Sequence, residues 1–312
     1  MSKSLHRGML KLALVVTALL ASGCGDRDKS DYHPSLSAAG VVQKPTYVVG
    51  IHPLHNPQRL VTLYGPIVDY LNRQMPQEKL VLETSRNYEE FERKLYAGRF
   101  AFAMPNPYQT VVSAQYGYRI FGKMDDDENF RGIILVRKDS NIRQVSDLKG
   151  KTVAYPAKTA LAATMMPQYY LHTHGLDVNR DIVNRYVGSQ ESAIENVLHG
   201  HVDAAATWPT PWRLFMAESP EEASELDVRW QTEALPNNAW VVRRDVAEPV
   251  ASEVARLLLT LHESEQGREM LERLPVSRFD AANDETYQTV HLFLKRFAET
   301  IRPVDDLVEG RP

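Results

Sequence analysis

The sequence predicts an α/β protein of two lobes, each a mixed, mainly parallel sheet flanked by helices. Short β-rich runs alternate with amphipathic helical stretches, the pattern of strands joined by crossover helices. From Tyr47 onward the chain has about 265 residues, more than one hydrophobic core usually serves. Midway, the run FRGIILVR at 130–137 leads through a short helical turn into a fresh first strand that ends at Tyr155, so the architecture begins twice.

The elements follow in order. Residues 47–51 (YVVGI) form a buried strand. Asn56 is placed to cap a helix with Pro57 at its first position, and Leu60, Leu63, Tyr64, Ile67, Tyr70 and Leu71 recur at helical spacing. Pro66 is expected to kink that helix. A second strand falls at Val81 and Leu82, a second helix over 88–96, and a third strand over 99–104, ending in Pro105-Asn106-Pro107-Tyr108. The acidic run Asp125-Asp126-Asp127-Glu128 lacks the spacing of a calcium loop and reads as a solvated turn. In the second half a helix is expected over 160–172, immediately after Lys158 and Thr159.

The first residues read differently. Lys3, His6, Arg7 and Lys11 make a basic leader, residues 12–20 an apolar core, and Ala21-Ser22-Gly23 leads into Cys24, the only cysteine of the 312 residues. This resembles a bacterial lipoprotein signal, although the position three before the cysteine is Ala21 where that family prefers Leu. The resemblance implies a signal peptide at 1–23, a lipid on Cys24, and an anchor and flexible tether over 24–45, which is polar and punctuated by Pro34 and Pro45. The other readings of Cys24 are a free thiol, an intermolecular disulfide, or a plain cleaved signal. No later stretch approaches the ~20 apolar residues of a membrane-spanning helix. The remainder is thus expected on the periplasmic or cell-surface face of a bacterial membrane. With 36 basic against 40 acidic residues, the net charge of −4 argues against a nucleic-acid surface. The lack of cysteine beyond Cys24 removes thiolate metal sites.

A set of ordered motifs carries a further resemblance. DLKGKTVAY at 147–155 looks like the opening of a second lobe. Before it come Gly50-Ile51-His52-Pro53, Tyr70-Leu71-Asn72, and Tyr88 ahead of Leu95, Ala97 and Gly98; after it come Pro167, GSQESAIENVLHGHVDAAA at 188–206, and a return strand after Pro236-Asn237-Asn238. In order and spacing the chain resembles the two-lobed (type II) periplasmic solute-binding proteins, closest to their phosphate, phosphite and phosphonate branch. The resemblance implies lobe 1 at 46–132, lobe 2 at 133–237, a lobe 1 return with C-terminal helices at 238–302, a tail at 303–312, and a hinge between the lobes. It implies a monomer without cofactor that delivers a small anionic ligand to the membrane permease of an ABC importer. The alternative is a sensing module that signals to a membrane sensor kinase without transport.

The site is legible without the family. In open α/β sheets ligands bind beyond the carboxyl ends of strands, among loops and helix starts. Here those loops are 52–56, 105–108, 156–159, 188–190 and 207–209. Helix N-termini offer unpaired N–H groups and partial positive charge, so an anion is expected. The candidate ligand-binding residues are His52, Tyr88, Asn106, Tyr108, Lys158, Thr159, Ala160, Ser189, Gln190 and Trp208. Lys158 and Thr159 combine a cation, a hydroxyl cap and free amides at one helix start. Each has a bland alternative: Tyr88 as packing at a helix start, Lys158 as a solvated lysine. Where the related binders carry Ser-Thr-Ser-Gly, this chain has Ala160-Leu161-Ala162-Ala163. The ligand is therefore expected to carry an organic part, packed on Leu161 and on the faces of Trp208 or Tyr108. His52 and His55 are three residues apart with no evident third ligand, so no metal is expected. No catalytic motif occurs, and an enzyme is not expected.

Overall fold

The computed structural model describes residues 44–274 and 276–304. The expectations for the signal peptide, Cys24 and most of the tether and tail fall outside them.

The chain lays down β1 (Thr46–Ile51), β2 (Lys79–Glu83), β3 (Phe102–Met104) and β4 (Tyr118–Met124), then β5 (Arg131–Arg137), β6 (Thr152–Tyr155), β7 (Val183–Tyr186), β8 (Ala204–Thr207) and β9 (Leu226–Ala234), and finally β10 (Ala239–Arg243) and β11 (Phe279–Ala281). They form two sheets, ordered β11-β4-β10-β3-β1-β2 and β7-β6-β8-β5-β9. Strands joined by crossover helices pair in parallel, β1 with β2 and β3, and β6 with β7 and β8. Strands that carry the chain between sheets, β5 and β10, pair antiparallel with their neighbours. Each lobe is thus one mixed sheet with helices packed on it.

The first helix, α1 (Pro57–Gln74), begins as its sequence dictates: Asn56 Oδ1 accepts from the Arg59 N–H at 2.9 Å, and Leu60, Leu63, Tyr64, Ile67 and Leu71 are buried. It continues through Pro66. Next comes α2 (Tyr88–Tyr96), capped by Asn87. The third strand is shorter than expected, because the Arg99 N–H closes the end of α2 on Lys94 O (2.9 Å) rather than joining the sheet. Phe100 then turns inward beneath Gly50, where an added Cβ would lie 2.6 Å from the ring. Only glycine lets β1 pass there.

Beyond α3 (Pro107–Ser113) the acidic run keeps Glu128 exposed and Asp126 and Asp127 half-buried, as a solvated turn would, but Asp125 is buried and Asp127 is tied into the crossing between sheets. Asp125 is buried and accepts from the Ser277 N–H; Asp127 Oδ1 accepts from the Asn237 N–H (2.9 Å) and pairs with Lys123 (2.8 Å). These contacts tie the outgoing crossing to the returning one.

The expected helix over 160–172 also departs from a simple α-helix. It opens as a π-helical turn, Leu161–Met165, and continues as α4 (Met166–Thr173). The N–H groups of Thr164 and Met165 both point at Ala160 O, at 2.8 and 3.2 Å, which widens the turn. Pro167 then has no N–H with which to restore the α-helical pattern. The remaining helices are α5 (Gln190–Leu198), α6 (Pro209–Glu218), α7 (Pro220–Ala223), α8 (Glu248–Leu259), α9 (Glu265–Glu272) and α10 (Gln288–Thr300). No described helix is long and apolar enough to cross a membrane.

Candidate functional site

Helix starts from both lobes meet between the sheets around a narrow cleft, about 210 Å³ counting interatomic gaps and open solvent, with room for about one water at most. His52, Tyr88 and Asn106 line it from lobe 1, and Ala160, Gln190 and Trp208 from lobe 2. These six are candidates named from sequence, brought together from loops far apart in the chain.

His52 follows β1 and is buried, with Nδ1 3.0 Å from Met104 O. A carbonyl only accepts, so Nδ1 carries the proton and Nε2 keeps its lone pair. Burial pushes the imidazole down to about 4, against the opposing effect of the Met104 bond. His52 is therefore neutral at ordinary pH. Tyr88 stands edge-on to it at 6.0 Å, held protonated chiefly by its own burial.

Hydrogen bonds cross the cleft. Gln190 Nε2 donates to Tyr88 Oη at 3.2 Å, while Gln190 Oε1 accepts from the Thr207 hydroxyl at 2.8 Å. Asn106 does two jobs: Oδ1 caps α3 through the Gln109 N–H (3.1 Å), and Nδ2 donates to Thr159 O in the other lobe (3.0 Å). The Leu161 turn has no such cap. Ala160 occupies the capping position and its side chain accepts nothing. The first N–H groups of a helix have no partner within it, and here they belong to Leu161, Ala162 and Ala163, all on the cavity wall.

Two cavity residues escaped the sequence reading as site members. Phe130 packs on Trp208 with ring centres 5.4 Å apart, and Asn238 closes the side nearest the return strand. Both sit where the chain passes between sheets, a place that strand and helix signals do not single out.

Four candidates lie elsewhere. Tyr108 is fully buried behind the first turn of α3, outside the cavity lining. Ser189 caps α5, its Oγ accepting from the Ser192 N–H at 3.0 Å. Thr159 is buried and contributes its carbonyl to Asn106 rather than a hydroxyl cap to the helix. Lys158 is exposed and lines, with Thr159 and Tyr186, a wider outer compartment of about 800 Å³ that includes open solvent.

At the rim, a histidine–carboxylate contact and an ion pair join the lobes. His55 Nδ1 and Glu191 Oε1 are 2.9 Å apart, and Arg59 reaches Glu218 with both terminal nitrogens (3.0 and 2.7 Å). Burial alone would raise the Glu191 carboxyl, but the His55 hydrogen bond and charge, a backbone N–H and Arg59 together bring it below its ordinary value. His52 and His55 thus turn to different partners. Among the described residues no three His, Cys, Asp or Glu are placed to hold a metal ion.

The fold has known counterparts. The phosphite-binding protein PhnD1 of Prochlorococcus marinus, described as a probable ABC transporter component, is 22% identical over 55% of this chain and 62% of its own length. The phosphonates-binding periplasmic protein of Escherichia coli is 22% identical over 51% of this chain and 48% of its own. The alignments thus cover less than two thirds of either relative. The structure of PhnD1 in complex with methylphosphonate superposes with a TM-score of 0.75 at 19% identity, covering 82% of this chain and 99% of that one. A binding protein component of an ABC phosphonate transporter from Pseudomonas aeruginosa gives 0.73 at 16%, over 85% and 96%. At such identities the superpositions establish the fold, the two-lobed one that the motifs predicted. The family model for the phosphonate periplasmic substrate-binding protein of ABC transporters matches residues 49–287, well over half of the sequence; the chain belongs to that family, one of solute-binding proteins and not of enzymes.

Proposed function

We propose that this protein is a lipid-anchored, extracytoplasmic capture protein that closes its lobes on a phosphonate or related organic oxyanion and hands it to an ABC importer. The observation that carries the reading is the uncapped helix start at Leu161, whose first residues Leu161, Ala162 and Ala163 line a small cavity walled by both lobes. Such a start is an anion site by its backbone alone. It does not need the hydroxyls that the sequence lacks.

A ligand seated there touches both lobes and so favours the closed arrangement, in which Tyr88 meets Gln190 and Asn106 meets Thr159. Closure presents a new outer surface to the membrane partner. The walls set the selectivity: Leu161, Ala162, Ala163 and Trp208 suit an organic substituent, whereas compact phosphate or phosphite would leave oxygens unpaired at ~1–3 kcal/mol each. The cavity favours a short substituent over a long one.

Thermal titration of the detergent-purified full-length protein tests the ligand. A ligand at ~100 times its Kd adds ~2.7 kcal/mol, so methylphosphonate is expected to raise the melting temperature more than phosphate or phosphite. A stronger effect of the bare ions than of every organic analogue would overturn the selectivity. Cell fractionation tests the anchor: Cys24→Ser is expected to leave the membrane fraction while still binding ligand.

A further inference from the structure

We propose that the cavity accepts its oxyanion as the singly protonated monoanion, with the ligand's hydroxyl donating to Nε2 of His52. The inference deepens, and rests on, the phosphonate reading. It begins from an imbalance in the walls. Among the described residues, none of those lining the cavity is Lys, Arg, Asp or Glu. Positive character comes only from helix starts, each equivalent to roughly half a charge. That suits one negative charge better than two.

The acceptors point the same way. His52 is 3% exposed and its Nδ1–H is committed to Met104 O, so the ring nitrogen left over is a lone-pair acceptor. Asn238 is 1% exposed; its amide nitrogen lies 3.5 Å from Met124 Sδ, and its Oδ1 has no partner among the described residues. A fully ionised phosphonate presents only acceptors. Against these atoms it would set oxygen opposite lone pair, whereas a P–O–H matches His52, and Asn238 Oδ1 disfavours a bare oxygen beside it.

Neighbouring titratable groups leave this arrangement intact. Tyr88 on α2 stays protonated through burial. Glu92, also on α2, receives a hydrogen bond from Gln109 of α3 at 2.8 Å. In the loop of His52 itself, His55 is engaged by Glu191 of α5. Met104 of β3 contributes only its carbonyl.

The discriminating pair of probes is methylphosphonate, which has a second ionisation, and methanesulfonate, which has the same shape and no hydroxyl. Calorimetry of the full-length protein would span about pH 6 to 9, well above the value near 4 at which His52 titrates. Methylphosphonate affinity should fall about tenfold per pH unit above the ligand's second ionisation, as the competent fraction falls. Buffers of different ionisation heat should report uptake of about one proton in that range, and methanesulfonate should bind at least ~100-fold more weakly. Binding of methylphosphonate that is independent of pH and takes up no proton overturns the inference while leaving the phosphonate reading in place. So does equal binding of methanesulfonate; if that binding takes up a proton, the hydrogen belongs to His52 and not to the ligand. No binding of methylphosphonate at any pH overturns both readings.

Discussion

Two helices begin at the same cleft from opposite lobes and treat their first N–H groups in opposite ways. At α3, Pro107 removes one donor, Asn106 Oδ1 takes the Gln109 N–H, and Gln109 Oε1 takes the Asn106 N–H in return, a reciprocal cap. At Leu161 the residue in the capping place is Ala160, and the turn widens into a π-helix. The first start is finished within the protein. The second is left for something else. A strong cap at a cleft completes the architecture, and on the proposed reading the missing cap leaves its N–H groups for the anion.

The largest expected effect comes from supplying the missing cap. Ala160→Asp would put a carboxylate against the free N–H groups, where negative charge is favourable to the helix and repels an incoming anion. Methylphosphonate affinity measured by calorimetry should drop about 100-fold or more, since facing like charges cost several kcal/mol, while the melting temperature of the empty protein holds or rises. Unchanged affinity would remove the Leu161 turn from the site.

Next comes the support beneath the turn. A Cβ at Gly132 would lie 2.6 Å from both Ala162 O and Pro167 Cγ. Gly132→Ala should therefore cost about 1–3 kcal/mol in denaturant unfolding, as overpacking does, and should weaken binding by displacing the amides. A stable variant with unchanged affinity would show that the turn tolerates movement.

The smallest effect on binding belongs to the capped start. Asn106→Ala should lower stability by about 0.5–2 kcal/mol, the usual loss for a cap, with less than a tenfold change in affinity. Should affinity collapse instead, Asn106 would be a ligand donor and the contrast between the two helix starts would fail.

This contrast also shows what was legible before the fold was known. Asn56 with Pro57, and the apolar spacing through α1, announce a helix because the cap and packing signals are local. Ala160, Gln190, Trp208, Asn106, Tyr88 and His52 were identifiable as loop residues at strand ends, and they do line one cavity. Lys158 was attractive because it carries the nearest charge in sequence, yet its side chain lies in the outer compartment. Charge says what a residue attracts, but not which way the loop aims it. Phe130 and Asn238 were invisible as site residues because their role depends on where two crossings between sheets meet, a property of long-range topology. The burial of Asp125 and the tie of Asp127 escape the sequence for the same reason: their partners, Ser277 and Asn237, lie more than a hundred residues away.

The central claim is that the backbone of the uncapped turn holds the anion. Its most direct test is a nuclear magnetic resonance measurement of through-hydrogen-bond couplings between backbone ¹⁵N and ligand ³¹P in the methylphosphonate complex. The account predicts couplings at one or more of Leu161, Ala162 and Ala163, the first residues of the uncapped turn on the cavity wall. Couplings confined to other amides, such as those of Lys158 and Ser189, would contradict it.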